Sequence, residues 1–153
     1  MASDLIRETE RAALISLKAN APLAAIIAKT SIDPQPNTAG VDAQGAAVWP
    51  FVRLDGTQSI PQGRGCNARA DVTFTLHSFA KARKNGTGAI IETARDHTGR
   101  LNSAIVEAIH NHAYPVAGRR YRLTVRSSRL MQDGAEADAY HGIVSVIAKA
   151  FVG

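Results

Sequence analysis

Arg69-Ala-Asp-Val-Thr-Phe-Thr-Leu-His-Ser-Phe79 decides how this chain folds. Val72, Phe74 and Leu76 alternate with Asp71, Thr73, Thr75 and His77, and that period of two predicts a strand with one face on a core. The next apolar set, Ile90, Ala94, Leu101, Ile105, Ala108 and Ile109, recurs at helical spacing and predicts a helix from about Ala89 to His112 across that face. Gly99 weakens its interior by ~1 kcal/mol relative to alanine. Nothing in this strand and helix is chemically reactive, so function is expected in shape and surfaces.

Upstream, Ser3 or Asp4 can cap a first helix whose apolar side is Leu5, Ile6, Ala13, Leu14 and Leu17. Asn20-Ala21-Pro22 interrupts it, and Leu23 to Lys29 reads as a short second helix, completing an N-terminal helical arm. Thr30 to Val48 carries Pro34, Pro36, Asn37, Gly40 and Gly45 with no hydrophobic period, as expected of a binding or ordering loop. Trp49-Pro50-Phe51-Val52-Arg53-Leu54 begins the sheet, Asp55-Gly56 is expected to end that strand, and Thr57 to Asn67 reads as an exposed tongue around Arg64. Neither loop is apolar enough to pack alone, so both are expected to be mobile in the isolated chain.

Downstream, Lys81 to Gly88 is a basic, glycine-containing connection. Tyr121, Leu123 and Val125 alternate with Arg120, Arg122, Thr124 and Arg126, giving a third strand with a basic outer face. After a turn at Asp133-Gly134, Tyr140 to Val152 is apolar on both faces, as befits a central strand. The fold class is therefore α+β: an antiparallel sheet of about four strands, one long helix on a face and the helical arm, in one domain over 1–153.

Composition bounds the function. The chain has 153 residues, 45% of them hydrophobic, and a net charge of +5 from 18 basic and 13 acidic side chains. That balance suits an acidic or phosphate-bearing partner without specifying one. The lone Cys66 cannot form an internal disulfide, no Cys/His cluster has zinc-ligand spacing, and no apolar run approaches the ~20 residues that span a bilayer. Asp4, Glu8 and Glu10 do not fit a signal peptide, so a soluble intracellular product without a membrane partner is expected.

The reactive residue types each have a plain structural reading. His110 and His112 are two apart and cannot share a helical face, so no metal site is expected, and a histidine near a helix C-terminus suits the dipole. His97 falls on the apolar stripe and reads as a histidine hydrogen-bonded under the sheet. Cys66 has basic neighbours but no histidine to activate it. Gly86-Thr87-Gly88 lacks the lysine of a phosphate-binding loop and reads as a flexible linker. Glu92 and Asp96 are accompanied by Arg95 and Arg100, with Asp96 and Arg100 an ordinary surface pair. Neither enzyme activity nor a cofactor is expected. Lys81, Arg83, Lys84, Arg119, Arg120, Arg122, Arg126 and Arg129 favour phosphate contact, although no aromatics interleave with them as a stacking platform.

Trp49-Pro50-Phe51-Val52, the Thr73-Phe74-Thr75-Leu76-His77-Ser78-Phe79 run and Tyr140-His141-Gly142-Ile143-Val144 occur in an order of elements that resembles the tail-completion or tail-terminator proteins of long-tailed bacteriophages. The likeness covers nearly the whole chain, with a longer Thr30 to Val48 loop and an extra stretch after Phe79. It implies a subunit that forms a hexameric ring on the head-proximal end of the tail tube, stops its growth and enables head joining. The implied partners are further copies of itself, the major tail tube protein, the head–tail connector protein and DNA passing through the lumen without sequence-specific binding. The implied location is the virion tail, after assembly in the host cytoplasm. A ring subunit needs two complementary patches. Arg120, Arg122 and Arg126 are candidates for one and Asp42, Asp55 and Asp71 for the other, with Arg53 and Arg64 as further candidates for a subunit or tail interface. The alternative, a small basic nucleic-acid-binding module, explains only the charge.

Overall fold

A computed structural model describes residues 4–62 and 70–152, and side chains as far as residue 150. Helix α1 (Leu5–Ala19) is capped by Asp4, whose carboxylate accepts from Arg7 N–H at 3.0 Å. Asn20 ends α1 and caps the single-turn α2 (Ala21–Ala24), which has proline in its first turn. This α2 ends earlier than the expected Lys29, where a short 3₁₀ turn, Lys29–Ser31, follows instead.

The main sheet has five antiparallel strands rather than about four, in the order β1 (Phe51–Pro61), β2 (Ala70–Lys81), β7 (Ala139–Val152), β6 (Arg119–Gln132), β5 (His112–Val116). The doubly apolar β7 is its middle strand, as its sequence requires. Residues of β2 alternate without exception between buried and half-buried, and Val72, Phe74 and Leu76 stand beside Ala148, Val146 and Val144 of β7 on the core face. Helix α3 (Ala94–Ile109) lies across β7, β2 and β6, and Leu101 and Ile105 share the core with Phe74 and Leu76.

Three boundaries differ from expectation, each for a local reason. Strand β1 does not stop at Asp55-Gly56; it takes a bulge between Asp55 and Gln58 and continues, pairing Gln58 with Thr73 and Pro61 with Ala70. The proximal part of the expected tongue is thus ordered sheet, while Arg64 and Cys66 lie outside the described residues. Helix α3 spans Ala94–Ile109, shorter than Ala89 to His112, because Thr93 caps it by accepting from Asp96 N–H at 3.1 Å. The residues before that cap form a separate hairpin, β3 (Arg83–Lys84) and β4 (Ile90–Glu92), so Ile90 is not part of the helical stripe.

The fifth strand, β5, occupies what read as a connection. Ala117 and Gly118 both have positive φ (51° and 77°), the geometry of a two-residue hairpin turn whose twist matches antiparallel strands. Tyr114 then pairs with Tyr121, and Pro115 is tolerated because β5 is an edge.

Candidate assembly interface

The helices cover one face of the sheet and leave the other open. Register fixes what that open face carries: Phe51, Arg53 and Asp55 on β1, then Thr75, His77 and Phe79 on β2, each opposite its partner across the ladder. On β7 the same face holds His141, Ile143, Ser145, Ile147 and Lys149, and on β6 it holds Arg120 and Arg122.

One end of this face is aromatic. Phe51 stacks on Phe79 with centroids 4.8 Å apart, Phe79 stacks on His141 at 4.3 Å, and Trp49 meets Phe51 edge-on at 5.1 Å. Two cations close over the rings, Lys81 at 4.7 Å from Trp49 and Arg53 at 5.6 Å from Phe51. His77 Nδ1 and His141 Nε2 are 2.8 Å apart, so one ring donates and the other accepts, and the two cannot both carry a second proton in this contact. Burial holds His141 below the usual histidine range, with His77 and Arg129 adding to the effect and Asp133 opposing it. Arg53, Leu54, Asp55, His77, Phe79 and His141 line an open cleft of about 510 Å³ beside this cluster.

The other end is basic. Arg120 and Arg122 project from β6, and Arg122 lies in register with Lys149, which in turn lies opposite Asp71 on β2. Arg126 falls at the irregularity between Val125 and Ser127 and has no register partner on β7. The structure therefore brings Arg120, Arg122 and Asp71 onto one face, with Arg53 and Asp55 farther across it on β1. Asp42 is elsewhere, in the loop before β1, where its carboxylate accepts from Gln44 and Ala46 N–H at 2.9 Å and shapes a turn. Asp55 accepts from Gly56 N–H at 2.7 Å at the bulge, and Asp71 accepts from the Gln62 amide at 3.4 Å.

Chemistry-bearing residues elsewhere are held by structural contacts. His97 is buried and its Nδ1 lies 2.8 Å from the Lys81 carbonyl, which can only accept, so Nδ1 carries the proton. Its reading as a structural histidine names this partner. His110 caps α3 and accepts from Val125 N–H at 3.1 Å, whereas His112 belongs to β5. Arg100 does not pair with Asp96; it forks onto Glu92 at 2.9 and 3.0 Å, and this hydrogen bonding holds the Glu92 carboxyl below its usual range. Gly86-Thr87-Gly88 is not a linker but the tip of the β3–β4 hairpin, organised by Asn85, whose amide oxygen accepts from Thr87 N–H, Thr87 Oγ1 and Ala89 N–H. Among the described residues no three histidine, cysteine or acidic side chains converge on a metal site.

Sequence reading missed two acidic residues on α1. Glu8 accepts from the Tyr121 hydroxyl and forms an ion pair of 3.5 Å with Arg119, while Glu10 accepts from Thr57 Oγ1 at 2.7 Å. Two positions apart, they point to different sides of α1 and tie it to β6 and to the bulged half of β1. Arg119 thereby faces α1 rather than the basic outer face. The sequence signal was present only as charges in an otherwise apolar helix.

The family model described as tail completion protein gp17 matches residues 14–149. The chain belongs to the tail completion protein gp17 family. Membership makes it a structural protein of a phage-type tail. Its fold is similar to a chain in a solved structure titled "Virion of native gene transfer agent (GTA) particle", with a TM-score of 0.68 and 16% identity. That match covers 97% of this chain and 98% of the other. None of the curated proteins matches. Both the stacked Phe51–Phe79–His141 cluster and the basic β6 residues lie within the span that the family covers. Among the described residues no helix of this gp17-family chain is long and apolar enough to cross a membrane.

Proposed function

We propose that this chain caps the head-proximal end of a tail tube as a closed ring of six copies, ending tube growth and presenting a surface for head joining. The observation that carries this reading is the family match over residues 14–149, which spans every strand pair of the main sheet except its terminal residues. The open sheet face supports it. Histidine, aromatic and cationic side chains converge there in stacked and cation–π contacts, a surface suited to docking another protein. In the ring, Arg120, Arg122 and Arg126 contribute to one contact surface and Asp42, Asp55 and Asp71 to the complementary one, while Arg53 and Arg64 serve a subunit or tail contact. The tube protein and the connector take the two ends of the ring, and DNA passes through its lumen without base-specific contact.

A second reading, a nucleic-acid-binding module, draws on the adjacency of Arg120, Arg122 and Lys149. Mass photometry of the purified protein with and without tail tubes, together with electron micrographs of the tubes, separates the two. A ring at one end of each tube is expected. Protein that stays monomeric, ignores tubes and binds duplex DNA with a steep salt dependence would overturn the ring and favour the second reading.

A further inference from the structure

Strand β6 is 14 residues long, but its outer neighbour β5 has only 5. Pairing with β5 ends at Leu123, and Val125 N–H is taken by His110. From Ser127 to Gln132 β6 is paired with β7 on one side, and no strand among the described residues lies along the other. Such an edge presents backbone donors and acceptors to an incoming strand. Arg95, Gly99 and Ser103 of α3 and Ser128, Arg129 and Leu130 of β6 line an open groove of about 600 Å³ along it.

The β3–β4 hairpin has the converse property. It stands outside the main sheet, and a two-stranded hairpin is marginal alone. Its Ile90 and Ile91 are 60% and 57% exposed, adjacent residues that point to opposite faces of β4. We infer that β4 of one copy adds to the free edge of β6 in the next copy, extending the sheet from subunit to subunit.

The inference rests on the ring reading above and names the contact that would close it. Leu130 faces the helices and Met131 the open side, so the edge offers one apolar side chain on each face, as β4 does. Charge agrees: the exposed Lys84 of the hairpin has no ion pair among the described residues, nor do Asp133 and Asp138 in the turn after β6. The hairpin follows β2 and the free edge belongs to β6, with β7 between them, while Lys81 pairs with Ala139 and Gln132 with Tyr140. Both features therefore lie at the same end of the sheet but to either side of its centre. That arrangement makes a head-to-tail contact, the kind that closes a ring.

The test uses full-length chains carrying Cys66→Ser, with Ile91→Cys and Met131→Cys introduced separately and together, cross-linked by a short bismaleimide in the presence of tail tubes. The double variant is expected to give a ladder ending at ring size, and the two single variants mixed to give dimers and nothing longer. Ile91→Lys is expected to reduce ring-capped tubes at least tenfold with an unchanged thermal midpoint, since the side chain it replaces is exposed. Rings that form without these cross-links, cross-links only to the tube protein, or full capping by Ile91→Lys would overturn the β4–β6 contact and leave the ring standing. Absence of any ring from the parent chain would overturn both.

Discussion

At position 142 a single missing carbon sets the packing of the sheet. Ser78 Oγ donates to Asn102 Oδ1 at 3.2 Å, and Asn102 Nδ2 donates to Ser128 Oγ at 2.7 Å, so one buried amide joins β2, α3 and β6 above the middle strand. Gly142 lies beneath this chain, and a Cβ there would sit 2.7 Å from Asn102 Oδ1 and closer still to Ser78 Oγ. Glycine is needed here for close approach rather than for its backbone freedom. Gly142→Ala is expected to lower unfolding stability by ~1–3 kcal/mol through overpacking and strained hydrogen bonds. Urea titration checks it: the midpoint should fall while the slope stays constant. The glycine was visible in sequence within the Tyr140-His141-Gly142-Ile143-Val144 motif, but its reason was not, because Ser78 and Asn102 are distant in the chain.

At the scale of elements, α1 is held to the sheet by a polar clasp over an apolar seam. Leu5, Ala12, Ala13 and Leu17 are buried, and the clasp is Tyr121 donating to Glu8 beside Arg119. Burial, then the Glu8 hydrogen bond, pushes the Tyr121 phenol up to about 12 from an ordinary 10.0, against a smaller lowering by Arg119. Because the folded value is raised, this contribution to stability is fully present below the ordinary value and is lost as pH rises through the folded one. Chemical denaturation at a series of alkaline pH values should show that loss between pH 10.0 and about 12. Tyr121→Phe should remove much of this pH dependence and cost ~1–3 kcal/mol at neutral pH by removing the hydroxyl that donates to Glu8 and leaving it with Arg119 alone. Elements with strong periods, α1, β2 and β7, were legible in sequence. The five-residue β5 and the β3–β4 hairpin were not, since a short strand holding a proline, or one with both isoleucines exposed, has no period of its own.

At the scale of the whole molecule, charge is arranged by face. Arg120 and Arg122 extend a basic band with Lys149, whereas Arg119, next to them in sequence, turns to α1. If the band meets an acidic surface of the neighbouring copy, its role is chiefly in encounter and orientation. Arg122→Glu with Arg126→Glu is therefore expected to slow ring assembly on tail tubes at low salt. Added salt should relieve the effect, because screening shortens electrostatic reach to ~10 Å at 0.1 M. Time-resolved mass photometry across a salt series measures this. Assembly rates equal to those of the parent at every salt concentration would remove the basic band from the interface.

The sequence by itself determined the α+β class, the core of Val72, Phe74, Leu76, Leu101 and Ile105, and the central place of the last strand. Each is a local pattern of burial, and apolar side chains repeated at the period of a strand or helix leave the backbone little choice of face. Tertiary structure alone decided that Glu8 serves Tyr121, that Gly142 lies under Asn102, that Phe51, Phe79 and His141 form one stack, and that β6 outruns β5 to leave an edge. Those features depend on strand order and register, which are set by contacts between residues far apart in the chain and leave no periodic trace in either partner.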